Sequence, residues 1–239
     1  MKNRTWMLCL PLALMLFLTF TPMTYADLYW ETEVVSGGMP EGLPKNLPKQ
    51  VLDQMMEQFK AKTETTKNYL TSYASRTETG GMIIIMEFDT MTMYQIDPKA
   101  KTYTKINIMS EMGQMAEDMM KDMKITPTNE TNEIAGYKCK KYNVTVMDMK
   151  SEHWLSKGVK GYKEFKAISE KIYKKNPKLR QMNMGGMSGK EGFPVKTVSN
   201  VMGMKTTTTL KKIEKKTLSK NLFKVPGGYK LKELKMPLN

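Results

Sequence analysis

Alternation between hydrophobic and polar positions predicts strands along most of the chain, and the clearest pair lies near the C-terminus. Residues 192–229 carry a β-branched middle, including the threonine run 206–209, with Gly and Pro at both ends. We interpret this stretch as two antiparallel strands followed by a closing turn. We expect this pair to lie at the end of a sheet that the upstream strands complete.

Shorter strand-like segments precede this pair in close succession. They cover residues 28–35, 69–79, 82–88, 91–96, 101–108 and 137–149. Residues 82–88 are apolar on both faces, so we expect a central strand that is covered on both sides. Turn residues such as Gly80-Gly81 and Asp97-Pro98 separate the segments, which predicts an antiparallel meander.

Helical periodicity appears in three places among these strands. Apolar side chains repeat at helical spacing in residues 48–59, 109–123 and 162–173. The polar, Thr-rich residues 60–67 after the first helix are expected to be a mobile loop. Helices inserted between antiparallel strands predict an α+β fold.

The N-terminal residues have the pattern of a signal peptide. Lys2 and Arg4 precede an apolar run over residues 7–20, and Thr24-Tyr25-Ala26 is a small-residue cleavage site. The run is shorter than the roughly 20 residues of a membrane span. We therefore expect export with cleavage after Ala26 and a single domain over residues 27–239; the alternative is an uncleaved N-terminal anchor.

The positive net charge indicates either an anionic partner or a solvated basic surface that keeps the protein soluble. The whole chain carries a net charge of +14, two of which belong to the leader. An exported basic protein meets anionic lipid or wall polymer more readily than nucleic acid. Lysines at 211, 212, 215 and 216 lie on one predicted strand. They indicate either contact with an anionic membrane surface or an edge strand protected against pairing.

The residues needed for catalysis are sparse. His153 is the single histidine, and Cys139 is the single cysteine after the leader. Gly-x-Ser-x-Gly, His-Glu-x-x-His and phosphate-loop motifs do not occur in the sequence. We therefore expect no enzymatic activity and no cofactor. Cys139 lies in an apolar strand-like segment and is expected to be a buried thiol, the alternative being a bond to another chain.

Methionine is unusually frequent, with 25 residues that fall mostly in clusters. Met182, Met184 and Met187 lie in a Gly-rich stretch, and thioether sulfur is a soft ligand suited to Cu(I). A copper(I) site is therefore one hypothesis for these three residues. The alternative is that methionine serves as a pliable apolar side chain in packing.

Several short motifs occur in a recognisable order. They are residues 94–98, Lys101-Thr102-Tyr103, Ile134-Ala135-Gly136-Tyr137-Lys138-Cys139, Trp154-Leu155-Ser156, Gly192-Phe193-Pro194-Val195 and Phe223-Lys224-Val225-Pro226-Gly227-Gly228-Tyr229. Together they resemble a family of exported bacterial proteins of unknown function (DUF4412). That family is similar to the outer-membrane lipoprotein carrier and receptor (LolA/LolB-like) superfamily. Residues 39–67, with their short helix, look like an insertion relative to it.

The resemblance implies a curved antiparallel half-barrel with helices across its concave face, and a periplasmic location. In the carrier superfamily the space between sheet and helices accepts acyl chains. The helix residues expected to line such a groove here are Met112, Met115, Met119, Tyr162, Phe165 and Ile168. The leading hypothesis is therefore a hydrophobic or lipid-bearing ligand in a sheet–helix groove. Two alternatives stay open: helices that fill the groove, and an envelope interaction protein without a small ligand.

Overall fold

The structure is a computed structural model that describes residues 26–39, 47–111, 123–146, 149–177, 191–201 and 203–233. The strands are β1 Asp27–Gly37, β2 Lys62–Leu70, β3 Ala74–Thr79, β4 Met82–Glu87, β5 Thr92–Asp97, β6 Thr102–Asn107, β7 Lys124–Ile134, β8 Tyr137–Val146, β9 Met149–Ser156, β10 Phe193–Val201, β11 Met204–Lys216 and β12 Lys230–Leu231. The helices are α1 Lys49–Gln58, α2 Ile108–Glu111, α3 Tyr162–Lys175 and a 3-10 turn at Lys220–Phe223. The predicted α+β mixture is thus dominated by strands.

All described strands belong to one large, curved, open sheet. Its order is β12-β6-β5-β4-β3-β2-β1-β11-β10-β9-β8-β7. Neighbouring strands are antiparallel, except that β12 runs parallel to β6. The meander predicted for residues 82–108 is confirmed as β4, β5 and β6.

The β10–β11 hairpin lies in the middle of the sheet and does not end it, contrary to the expectation from sequence. β1 pairs with β11 along its whole length, from Asp27 opposite Lys216 to Gly37 opposite Lys205. β2 then pairs with the other side of β1. The first and the penultimate strands along the chain therefore join two halves of the sheet, and an edge-strand role for the lysines of β11 is wrong.

Two segments differ from the strands that the sequence predicted. The expected single strand over residues 69–79 is broken after Leu70 by a turn. Thr71 stabilises this turn because its hydroxyl oxygen accepts a hydrogen bond from the Ala74 amide at 3.0 Å and its hydroxyl donates to the Ala74 carbonyl at 2.9 Å. The polar residues from Lys62 onward are not a loop but the first part of β2.

β7 is a strand that the sequence analysis did not predict. It forms one edge of the sheet, is mostly exposed, and pairs with β8 through a register shift between Pro127 and Thr131. Proline and charged side chains are common on edge strands because they hinder pairing with another chain. Their presence hid the strand from an analysis based on apolar alternation.

Hydrophobic clusters cover both faces of the sheet. One cluster packs α3 against the sheet around Leu28, Phe193 and Leu210. The second lies on the other face, where residues 217–231, here called the C-terminal strap, cross the meander. In the strap Leu218 and Phe223 are buried against Ile85 and its neighbours. Met86 and Ile85 point into different clusters, which confirms β4 as a strand covered on both sides.

Three local features complete the description of the fold, of which the buried Cys139 was expected from the sequence. The Asn107 side chain caps α2, since its Oδ1 accepts hydrogen bonds from the amides of Met109 and Ser110 at 3.1 Å. Cys139 is buried, and burial raises the pKa of its thiol. Among the described helices, none is both long and apolar enough to cross a membrane.

Candidate functional site

Helix α3 lies across one face of the sheet and forms one wall of the candidate site. Its apolar residues recur at helical spacing, and Phe165, Ile168 and Ile172 are buried against the sheet. The Phe165 ring meets the Phe193 ring of β10 edge-on, with centroids 5.0 Å apart. Trp30 of β1 meets the other side of Phe193 at 5.6 Å. The three rings fix the distance between helix and sheet.

Contacts hold both ends of α3. At the N-terminal end Gly161 lies so close to the sheet that a Cβ atom there would sit 2.7 Å from Ile213 Cδ1. In the first turn Glu164 is buried and pairs with Lys215 of β11. At the C-terminal end Lys175 pairs with Asp89 at 3.4 Å, and Asn176 donates a hydrogen bond to the Phe88 carbonyl. The helix thus spans the sheet from β11 to the β4–β5 turn.

A cavity of about 230 Å³ remains between α3 and the sheet. Its surface is mostly apolar, with polar groups at one side. The lining residues are Trp30, Asn68, Tyr69, Leu70, Ser75, Arg76, Thr77, Phe88, Phe165, Ser169, Ile172, Tyr173 and Pro194. The helix and the sheet are therefore not packed flush along their whole contact.

Two polar side chains of β2 and β3 on the cavity side bind each other, since Thr77 Oγ1 donates to Asn68 Oδ1 at 3.2 Å. Arg76 and Tyr69 border the cavity, but their side chains extend to the opposite face of the sheet. There the Arg76 guanidinium binds Glu78 at 2.8 Å and donates to the Leu222 carbonyl of the strap at 2.9 Å, and Tyr69 packs in the second hydrophobic cluster. An apolar ligand would leave the Asn68–Thr77 hydrogen bond in place.

The structure separates the residues that the sequence analysis assigned to the groove. Phe165 lines the cavity, Ile168 packs into the core beside it, and Tyr162 packs at its margin. Met112, Met115 and Met119 lie outside the described residues, as do Met182, Met184 and Met187 of the copper hypothesis. Ligand contact by any of them stays a prediction.

Several lining residues were not assigned to the site from the sequence. Ile172 and Tyr173 belong to the same helical pattern as Phe165, two turns further on. Trp30 and Leu70 occupy inward positions of β1 and β2. The alternation along these strands could have identified them, but only together with the pairing of β1 and β2.

Other chemical groupings are weaker candidates for a site. Ser151 Oγ lies 3.0 Å from His153 Nε2, and burial lowers the pKa of this histidine. The neighbouring carboxylate of Glu152 pairs instead with Lys141 at 3.0 Å. Among the described residues, no cluster of His, Cys, Asp and Glu side chains could hold a metal ion. Met86 and Met91 are buried in the hydrophobic core, where they serve packing.

Two larger clefts lie elsewhere on the sheet. One, of about 690 Å³, is next to the β5–β6 turn, and one of about 560 Å³ is next to β8 and β9. Both are lined mainly by polar or charged side chains, such as Gln95 and Asp97 in the first and Lys141 and Asn143 in the second. Of these three spaces, the smaller cavity under α3 has the most aromatic and aliphatic lining, which is typical of sites for apolar ligands.

The lysines of β11 pair with acidic residues. Lys211 pairs with Glu33 at 3.0 Å, and Lys212 and Lys216 both pair with Glu214, at 2.7 and 2.6 Å. Lys216 also lies over the Tyr29 ring, 4.2 Å from its centroid. Each of these three lysines has an acidic partner within the sheet, which weakens the case for this part of β11 as a surface for anionic partners.

Comparisons with solved structures give matches of low similarity. Two crystal forms of PNGF-II align with TM-scores of 0.41 and 0.38 at 14% and 15% identity, covering 86% and 85% of this chain. This chain spans only 30% of the first PNGF-II chain and 31% of the second. With TM-scores this low, nothing about function is transferred.

Two further matches are to a sorting-protein domain and to MucB. A putative outer membrane lipoprotein-sorting protein domain from Vibrio parahaemolyticus aligns with a TM-score of 0.33 at 9% identity, covering 84% of this chain and 90% of that one. MucB in complex with MucA(peri) aligns at 0.36 and 8% identity, covering 87% of this chain and 57% of MucB.

Sequence comparison identifies a family. Among curated proteins, none matches this sequence. The family model described as a domain of unknown function, DUF4412, matches residues 47–229. This match covers most of the chain and includes α1, α3, the β10–β11 hairpin and most of the strap. The chain therefore belongs to the DUF4412 family.

Proposed function

We propose that the protein is a non-enzymatic periplasmic binding protein that holds an apolar, lipid-bearing ligand in the groove between α3 and the sheet. The observation that carries this proposal is the cavity of about 230 Å³ with its aromatic and aliphatic lining. The leader-like residues 1–26 support export. No reaction is assigned to the protein.

The size of the cavity favours one end of an acyl chain over a compact ligand. Binding sites for drug-sized ligands usually have about 300–1,000 Å³, and this cavity is smaller. A hydrocarbon chain is narrow and fits a smaller cavity. Each methylene that it buries contributes about 0.8 kcal/mol to the binding free energy. A handful of methylenes in contact with Trp30, Phe165 and Ile172 would therefore give measurable affinity.

The two anchored ends of α3 support a groove that is largely preformed. The pairs Glu164–Lys215 and Lys175–Asp89 hold the helix at opposite ends, while the cavity lies under its middle. A site that exists before binding avoids part of the ordering cost of association.

Copper(I) binding by Met182, Met184 and Met187 stays a separate prediction, which a Cu(I) competition titration tests.

A cavity-filling substitution tests the proposed groove. Ser169 lies on α3, is buried, and lines the cavity. Ser169→Met adds a flexible apolar side chain that occupies the space without removing a core contact. We expect it to weaken binding of a fluorescent fatty acid to the mature protein by about tenfold or more, equivalent to at least ~1.4 kcal/mol.

The matched control is Ala167→Met on the same helix. Ala167 is not among the residues that line the cavity, so this variant should bind the fatty acid as the parent protein does. Melting temperatures of both variants show whether the fold is kept. Equal affinity of Ser169→Met and the parent protein, or no fatty-acid binding by the parent, would remove the groove as the binding site.

A further inference from the structure

The large hydrophobic side chains that are exposed gather at one end of the sheet. Within the described part of the chain they are Val35, Val51, Leu52, Met56, Ile125, Met149, Val201 and Leu231. Exposed apolar residues scattered singly over a surface are ordinary and need no explanation. Their restriction to one end of a twelve-stranded sheet does need one.

The strand register places five of these residues at the same end. We call this end the turn rim; it carries the β3–β4, β5–β6, β8–β9 and β10–β11 turns. Val201 pairs with Met204 across the β10–β11 turn, and Met149 pairs with Val146 across the β8–β9 turn. The remaining three are close to other turns or strand ends of the rim: Val35 lies opposite Thr63, Ile125 opposite Val144 and Leu231 opposite Tyr103.

Helix α1 brings the other three residues to the turn rim. It connects the end of β1 to the start of β2, and the Gly38 amide donates a hydrogen bond to the Phe59 carbonyl at 3.1 Å. Val51, Leu52 and Met56 are exposed on this helix, with 56% of the Met56 surface accessible. The helix is amphipathic, yet much of its apolar face meets no other part of the described protein.

Exposed lysines surround these apolar residues. They are Lys49, Lys60, Lys62, Lys99, Lys101, Lys124, Lys150, Lys205, Lys230 and Lys232. The acidic residues described at the same end are fewer: Asp53, Glu57, Glu64, Asp97 and Glu233. The turn rim therefore combines exposed apolar side chains with an excess of positive charge.

We propose that the turn rim docks on the surface of an anionic lipid bilayer. Apolar side chains flanked by lysines bind membrane interfaces because the apolar groups enter the acyl boundary while the lysines meet anionic head groups. Each lysine near such a surface contributes about 1 kcal/mol. The matching of charge and apolarity favours a bilayer over a protein partner.

The position of the groove agrees with this orientation. Helix α3 crosses the sheet at the end opposite the turn rim, where it packs on Leu28 and contacts Phe88. On β2 and β3 the cavity lining extends from Leu70 to Asn68 and from Ser75 to Thr77, in the direction of the turn rim. Docking through the rim would therefore turn this end of the cavity toward the lipid. The docking surface itself does not depend on the groove binding any ligand.

Vesicle binding by matched charge-reversal variants tests the proposal. The protein without its leader is mixed with vesicles of one part phosphatidylglycerol to three parts phosphatidylcholine, and the bound fraction is measured by flotation. Lys62→Glu with Lys205→Glu changes the rim on both sides of Gly37. Lys163→Glu with Lys174→Glu makes the same change of net charge on the exposed side of α3.

We expect the rim pair to lower the partition coefficient by about tenfold or more, since each reversal removes an attraction to anionic head groups and adds a repulsion. The α3 pair should lower it by less than about threefold. Leu52→Asn with Met56→Asn should also weaken binding at least about fivefold, because exposed apolar groups lose their gain on insertion. All of these positions are exposed, so the variants should keep the parent's circular dichroism and melting temperature.

A depth measurement distinguishes docking from loose attraction. In Leu52→Trp the new indole should be quenched by lipids that carry bromine on their acyl chains, whereas the indole in Lys163→Trp should not. Equal losses for the two charge-reversal pairs, or absence of vesicle binding by the parent at low salt, would overturn the proposal. So would self-association that depends on Leu52 and Met56 while vesicles stay unbound.

The outcome is independent of the groove. The cavity-filling variant Ser169→Met should bind vesicles as the parent protein does, even where it no longer binds the fatty acid. Loss of vesicle binding with Ser169→Met, with the rim variants unaffected, would assign membrane contact to the groove and reject the turn rim.

Discussion

Replacing Phe223 with alanine tests the contribution of the C-terminal strap to stability. Only 3% of Phe223 is exposed, and its ring meets the Tyr73 ring edge-on with centroids 5.5 Å apart. It packs with Ala74, Ile85 and Ile96 on the sheet face opposite α3. The strap has no regular pairing with the sheet between the 3-10 turn and β12, and Phe223 is its most deeply buried side chain.

The expected loss follows from burial and the ring contact. Truncating a buried phenylalanine to alanine costs about 3–5 kcal/mol, because transfer and cavity terms add. An edge-to-face aromatic pair contributes about 0.5–1.5 kcal/mol of this. With total stabilities of about 5–15 kcal/mol for native proteins, the variant should be folded but much weakened.

Urea unfolding of the protein without its leader, followed by circular dichroism, measures the change. At an m value of about 2–3 kcal/mol/M the midpoint should fall by roughly 1–2 M. Leu231→Ala in the same strap is the control, because Leu231 is exposed and should change stability by less than about 0.5 kcal/mol. A loss below about 1 kcal/mol for Phe223→Ala would refute the strap as a packed element.

Two further substitutions test the backbone at Gly192 and the half-buried His153. Gly192 has φ +147, and a Cβ atom there would lie 2.9 Å from the Ser156 backbone. Gly192→Ala should therefore lower the free energy of unfolding by about 2 kcal/mol or more in a urea titration. An unchanged urea midpoint would contradict this. Burial lowers the pKa of His153 below its usual value near 6.5, so below that pH the unfolded chain binds the extra proton and stability falls. His153→Gln should lose this component, and a parent and variant with parallel stability profiles between about pH 7 and pH 5 would contradict the assignment.

Local patterns predicted most elements of the fold. The periodicity of residues 162–173 predicted α3, and the threonine-rich alternation predicted the β10–β11 hairpin. Short turns predicted the meander of β4, β5 and β6 because neighbouring strands in the chain pair directly. Each of these predictions depends on residues that are close together in the sequence.

Long-range pairing was not accessible in the same way. β1 reaches β11 across most of the chain, and nothing in the local pattern of Asp27–Gly37 specifies that partner. The turn at Thr71 also escaped detection because a side-chain hydrogen bond takes the place of Gly or Pro. The strand β7 was hidden by its exposed, polar character.

The candidate site was predictable in kind but not in its residues. An amphipathic helix over a sheet predicts a contact layer, yet periodicity does not show whether that layer is filled. Ile168 and Phe165 both lie on the apolar face of α3, but only Phe165 lines the cavity. Phe165 also takes part in the Trp30–Phe193–Phe165 ring contacts, which depend on the pairing of distant strands and are not visible in the helical pattern.

The central claim is that apolar ligand enters the space between α3 and the sheet. A nuclear magnetic resonance titration of the isotopically labelled protein with a fatty acid carrying a nitroxide near its methyl end tests it most directly. The account predicts that signals of Trp30, Ser169 and Tyr173 broaden most, since these residues line the cavity, while those of β7 at the distant edge of the sheet keep their intensity. Broadening confined to other parts of the sheet, or none at saturating fatty acid, would contradict it.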